Sequence, residues 1–110
     1  MQRTSRTLTE LIQGKKPVLV DFYASWCNPC KMMHPILEET SSLLGNQVKI
    51  VKVDVDKNLL AARSFHVNSV PTLILFQSGK IMWRQSGMIQ TKKLVEVVHK
   101  FTNENGLMAK

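Results

Sequence analysis

Two cysteines, Cys27 and Cys30, are the only ones in the chain, and two residues separate them in Trp26-Cys27-Asn28-Pro29-Cys30. The flanks make this pair the strongest constraint on the fold. Before it runs Pro17-Val18-Leu19-Val20-Asp21-Phe22-Tyr23, nearly continuous in apolar residues, as expected of a strand buried on both faces. After it Met33, Ile36, Leu37, Thr40 and Leu44 recur at helical spacing. The pair therefore falls where a strand gives way to a helix N-terminus. Unpartnered backbone N–H groups and the positive end of the helix dipole favour an anion there. Two cysteines are too few for a disulfide scaffold in 110 residues, so redox or metal chemistry is the expectation.

The remaining pattern predicts one α/β domain over 1–110, with polar ends at 1–7 and 103–110 that fray. Thr7 is placed to cap a first short helix, with Glu10 in a capping-box position and Leu8, Leu11 and Ile12 on one face. The long helix spans about Cys27 to Leu44, with Pro29 in its first turn, a kink at Pro35 and Gly45 as its stop. Val48 to Val55 alternates as a second strand, and a short helix carries Leu59, Leu60, Ala62 and Phe65. Leu73 to Phe76 is a third strand; Ser78-Gly79 turns it into a fourth over Lys80 to Gln85. Thr91 is placed to cap a last helix, with Leu94, Val95, Val97, Val98 and Phe101 on its buried face. Alternating strands and helices imply parallel pairing at first, and the tight turn implies antiparallel pairing at the end.

At 110 residues and a net charge of +7, acidic partners are favoured and no fold is excluded. The basic residues are scattered over all elements, and no aromatic-basic nucleic-acid motif appears, so no nucleic-acid partner is expected. No apolar run reaches 18 residues, and no membrane association is expected. Met1 to Thr7 is not followed by the apolar stretch of a secretory signal, so a cytoplasmic location is expected, or a periplasmic one had a leader been removed. A zinc site needs four ligands, and only His34, His66 and His99 accompany the cysteines, at no recognisable ligand spacing. No metal and no cofactor are expected; no Gly-x-Gly-x-x-Gly fingerprint occurs.

Several separated motifs, in order, resemble the thioredoxin family from about Leu8 to Phe101. They are Val18-Leu19-Val20-Asp21-Phe22, Ala24-Ser25-Trp26-Cys27-Asn28-Pro29-Cys30-Lys31, Lys52-Val53-Asp54-Val55-Asp56, Val70-Pro71-Thr72-Leu73 and Ser78-Gly79. Asn28 stands where the family usually has glycine, and few residues precede Leu8 to form the family's extra first strand. The resemblance implies a thioredoxin fold, a mixed four- to five-stranded sheet flanked by helices on both faces.

It also implies roles. Cys27 is the nucleophile, expected to be the more exposed sulfur, and Cys30 resolves the mixed disulfide. Asp21, costly to ionise inside a buried strand, lies behind the cysteines as general base, and Lys52 modulates it. Pro71 matches a cis-proline facing the cysteines, and Val70 offers backbone groups to an extended substrate segment. Trp26, Val70, Pro71, Gly87 and Met88 form a flat apolar rim. Asn28 and Pro29 tune the potential. His34, one turn beyond Cys30, reads as a titrating neighbour or as plain helix surface; His66 and His99 read as surface.

The expected function is reduction of protein disulfides by a monomer that draws electrons from a thioredoxin-reductase-like donor. Two alternatives remain: an oxidising or isomerising protein on the same fold, and a redox-inactive binding module. The absence of histidine between the cysteines favours the reductant.

Overall fold

The structure is a computed structural model that describes the backbone of residues 4–102 and side chains from Leu8 onward. The elements are α1 (Thr4–Ile12), β1 (Val18–Tyr23), α2 (Asn28–Leu44), a 3-10 turn (Gly45–Gln47), β2 (Lys49–Asp54), α3 (Leu59–Ser64), β3 (Thr72–Gln77), β4 (Lys80–Ser86) and α4 (Thr91–Phe101). Among the described residues the sheet has four strands in the order β2-β1-β3-β4. The α2 crossover makes β1 and β2 parallel, while β1–β3 and β3–β4 are antiparallel.

β1 and β3 are the enclosed strands, because each has a neighbour on both edges; all of β3 and all of β1 but Tyr23 is buried. The alternation along β1 sorts the core. Leu19 faces α2 and α4 with Met33, Leu37, Leu73, Leu75, Leu94, Val97 and Val98. Val18, Val20 and Phe22 face the other way, with Leu8, Ile12, Val53, Ile74 and Phe76. The two-residue period puts Asp21 on the Leu19 face, beneath α2. On β2 the same period puts Lys52 on that face with Ile50, while Val51 and Val53 pack opposite. The strand anticipated as alternating thus carries apolar residues towards both layers, with the exposed Lys52 sharing the Ile50 face.

Helix ends follow local chemistry. Cys27 caps α2, Pro29 occupies its first turn, and α2 stays one helix through Pro35. Gly45, at φ +53°, closes it with an N–H donated to the Ser41 carbonyl. Ser78 and Gly79 both have positive φ, +55° and +79°, as a two-residue hairpin with right-handed strand twist requires. That turn is tied to the end of α1, with Ser78 N–H donating to Gly14 O and Gly79 N–H to Ile12 O.

Two local expectations are corrected. α1 begins at Thr4, so Thr7 lies inside the helix and does not cap it. Of the ends expected to fray, the backbone from Thr4 is assigned to α1, and residues 1–3 and 103–110 lie outside the described residues. At α4 the cap position is Gln90, and Thr91 is the first helical residue. The Thr91 hydroxyl donates 2.7 Å to Glu39 Oε1 on α2, because a partner across the helix interface outcompetes its own backbone. No described helix is long and apolar enough to cross a membrane.

Candidate active site

The site forms where β1 ends and α2 starts. Cys27 has extended backbone, at φ −91° and ψ 114°, and Cys30 completes the first helical turn. That geometry brings their Cα atoms to 5.2 Å, and the sulfurs are joined as a disulfide. The Cys30 backbone N–H points at Cys27 Sγ from 3.1 Å. An orphan N–H at a helix start has found a sulfur as its acceptor, and a thiolate accepts more strongly than a disulfide sulfur.

The two cysteines are equally covered, each 4% exposed, which corrects the expectation that Cys27 stands out. The reason is packing. Ala24, Tyr23, Val55 and Val70 close around both residues. The Val70 carbonyl lies 3.7 Å from Cys27 Sγ. With the sulfur in a disulfide this is a contact and not a hydrogen bond.

The Val70–Pro71 peptide is cis. Gly87 adjoins it, its N–H donating 2.8 Å to the Pro71 carbonyl. Gly87 has φ +92°, and a Cβ built there would meet nothing within 4 Å. The glycine thus bends the chain and leaves a bare surface beside Pro71. Met88 is half-buried and packs towards the α2–α4 layer, with its carbonyl accepting from Gln85 Nε2 at 3.5 Å. Trp26 is 68% exposed, and its indole N–H donates 2.9 Å to Asp56 Oδ2. Asp56 is absent from the sequence-derived site. It lies 30 residues from Trp26, and only its place in the Lys52–Asp56 motif hinted at it.

Asp21 is fully buried, and neither carboxylate oxygen has a hydrogen-bond partner among the described residues. Burial pushes its pKa up to about 6 from 3.8, against an opposing pull from Lys52 and then His34. Lys52 is its register partner on β2. The Lys52 ammonium sits 4.8 Å from the centre of the Tyr23 ring and 3.2 Å from His34 Nδ1. His34, which the sequence left undecided, therefore belongs to this cluster. A cavity of about 290 Å³ opens here, lined by Tyr23, Ala24, Ser25, Cys30, Lys31, His34 and Lys52. Asn28 and Pro29 lie exposed in the first turn of α2. His66 and His99 are exposed, as expected.

The arrangement is a disulfide at a helix start, with Cys30 lining a cavity and a buried, protonatable carboxyl on the sheet face beneath the helix. A thioredoxin family model matches residues 1–100. The chain is 45% identical over 93 residues to a thioredoxin-like protein of Synechocystis, covering 84% of this chain and 89% of that one. It is 51% identical over 78 residues to the bifunctional thioredoxin reductase/thioredoxin of Mycobacterium leprae, covering 71% of this chain and 17% of that one. The crystal structure of Malassezia sympodialis thioredoxin superposes with a TM-score of 0.80 at 31% identity, over 87% of this chain and 84% of that one. With the cysteine pair at the start of α2 and this fold around it, the chain belongs to the thioredoxin family and is a thiol–disulfide oxidoreductase.

Proposed function

We propose that the chain reduces disulfides of other proteins. The observation that carries this reading is Cys27 Sγ at the N-cap of α2, accepting the Cys30 N–H at 3.1 Å. In the dithiol form that N–H and the helix dipole favour the Cys27 thiolate. The thiolate attacks one sulfur of a substrate disulfide, forming a mixed disulfide and expelling the other substrate sulfur as a thiolate, which takes up a proton. Asp21 would then take the Cys30 proton, relayed by water entering the cavity that Cys30 lines. The Cys30 thiolate attacks Cys27 Sγ, releasing the second substrate sulfur and leaving the chain as the Cys27–Cys30 disulfide. Two electrons have passed to the substrate.

A reductase returns them. The Mycobacterium leprae relative carries both names in one chain, which supports a thioredoxin-reductase-like donor here. We place the activity in the cytoplasm, a reducing compartment in which such a dithiol is maintained. Val70, Pro71, Gly87, Met88 and Trp26 would bind an extended substrate segment, with the Val70 carbonyl next to the attacking sulfur as a backbone acceptor.

The test is reduction of insulin disulfides with dithiothreitol as the terminal donor. Wild type should turn over, and Cys27→Ser should not. Cys30→Ser should accumulate a mixed disulfide. A wild-type protein without turnover would remove the reading. Equilibration of the Cys27/Cys30 couple in redox buffers fixes the direction, since a strongly oxidising potential reassigns the protein as an oxidant.

A further inference from the structure

We propose that His34 is a positioning residue: it holds the Lys52 ammonium beside Asp21 through a Glu38–His34–Lys52 chain. The chain runs from α2 to β2. Lys52 Nζ lies 3.2 Å from His34 Nδ1, and His34 Nε2 lies 3.1 Å from Glu38 Oε2. Its polarity is forced. An ammonium only donates, so Nδ1 accepts, the ring proton sits on Nε2, and Nε2–H donates to the Glu38 carboxylate. His34 is thus matched on one side to a cation and on the other to an anion.

Lys52 needs such an anchor. It is an exposed lysine with four rotatable methylenes, and no carboxylate of the described residues forms an ion pair with it. Its strand register puts it next to Asp21, but its head group would otherwise spread into solvent. His34 reaches it because residues 30 and 34 share one face of α2, so the imidazole and Cys30 line the same cavity. The titratable groups that interact with Asp21 are Lys52 on β2, His34 on α2 and Tyr23 on β1; Asp54 on β2 acts on Tyr23, Glu38 on α2 on His34, and Lys31 lines the cavity with His34 and Lys52. Lys52 gives the larger pull against the effect of Asp21 burial; a direct pull from His34 would need a doubly protonated ring, which cannot accept from the Lys52 ammonium.

This deepens the role given to Asp21 above and rests on that reading for its consequence in turnover. The experiment is independent of turnover. In the disulfide form, where no thiol exchanges, the Asp21 carboxyl carbon is followed by NMR across pH. His34→Ala should raise the Asp21 midpoint by about half a pH unit, the size of a partly exposed charge interaction. His34→Gln, whose amide accepts from an ammonium and donates to a carboxylate, should restore at least half of that change. In a Lys52→Met background, His34→Ala should move the midpoint less than half as far as in wild type. A midpoint unmoved or lowered by His34→Ala would overturn the proposal. So would an equal shift with and without Lys52, because His34 would then act directly and not through the lysine.

Discussion

Asp21 and Lys52 are register partners on adjacent parallel strands, yet neither oxygen of the Asp21 carboxylate accepts a hydrogen bond from a described residue. Folding therefore desolvates the carboxyl without replacing its water. Its pKa rises from 3.8 to about 6, so the folded chain binds this proton more tightly than the unfolded chain. The favourable contribution is complete below about pH 4 and is lost as pH rises through about 6. Two pH units amount to about 3 kcal/mol. Denaturant unfolding of the disulfide form should show stability falling between pH 4 and pH 7. Asp21→Asn should flatten that slope and be relatively more stable at pH 7. A wild-type slope retained in Asp21→Asn would assign it to other groups.

Gly87 leaves open space beside Pro71 at a positive φ that disfavours other residues. Gly87→Val should raise KM for protein disulfides several-fold with kcat nearly kept, because the new side chain stands where substrate would lie. The backbone strain should cost about 1–3 kcal/mol of stability. Gly87→Ala should carry similar strain with a smaller KM effect. Equal KM for all three proteins would show that substrate does not pass over this surface.

Arg84 on β4 donates through Nη1 to the Phe65 carbonyl at 2.5 Å and through Nη2 to the His66 carbonyl at 2.6 Å. It satisfies carbonyls just past the short helix α3, where His66 has φ +56°. Arg84→Met keeps most of the stem and loses both bonds. Urea unfolding should show a loss of about 1–2 kcal/mol, reduced from the usual charged-bond value by exposure. The redox potential should not change.

Asn28 is the first residue of α2 and exposed, within the loop between the sulfurs. Its side-chain amide can favour the Cys27 thiolate and so the reduced form. Asn28→Gly should lower the potential by up to about 20 mV, equivalent to about 1 kcal/mol for a two-electron couple. Identical potentials would dismiss the amide effect.

What the sequence made legible was set by neighbours along the chain. The cysteine pair, the buried carboxylate in an apolar run, Gly45 as a stop and Ser78-Gly79 as a turn each carry their chemistry within a few residues. What it hid was set by neighbours across the fold. Asp56 meets Trp26 from 30 residues away, and His34 meets Lys52 from 18. Neither pairing leaves a periodic trace. Thr91 failed as a cap for the same reason: its hydroxyl found Glu39, 52 residues earlier. The exposure of Cys27 was misjudged because helix position alone says nothing of Val70, which the chain brings back 43 residues later.

β1 is bonded on both edges, and the reactive turn hangs directly from its end. Amide protons of Leu19 to Phe22 should consequently exchange with solvent only when the entire molecule opens, whereas those on the outer edge of β4 exchange through smaller excursions. The sulfurs are moored to the last part of the molecule to let go, so local breathing at the periphery leaves their spacing untouched.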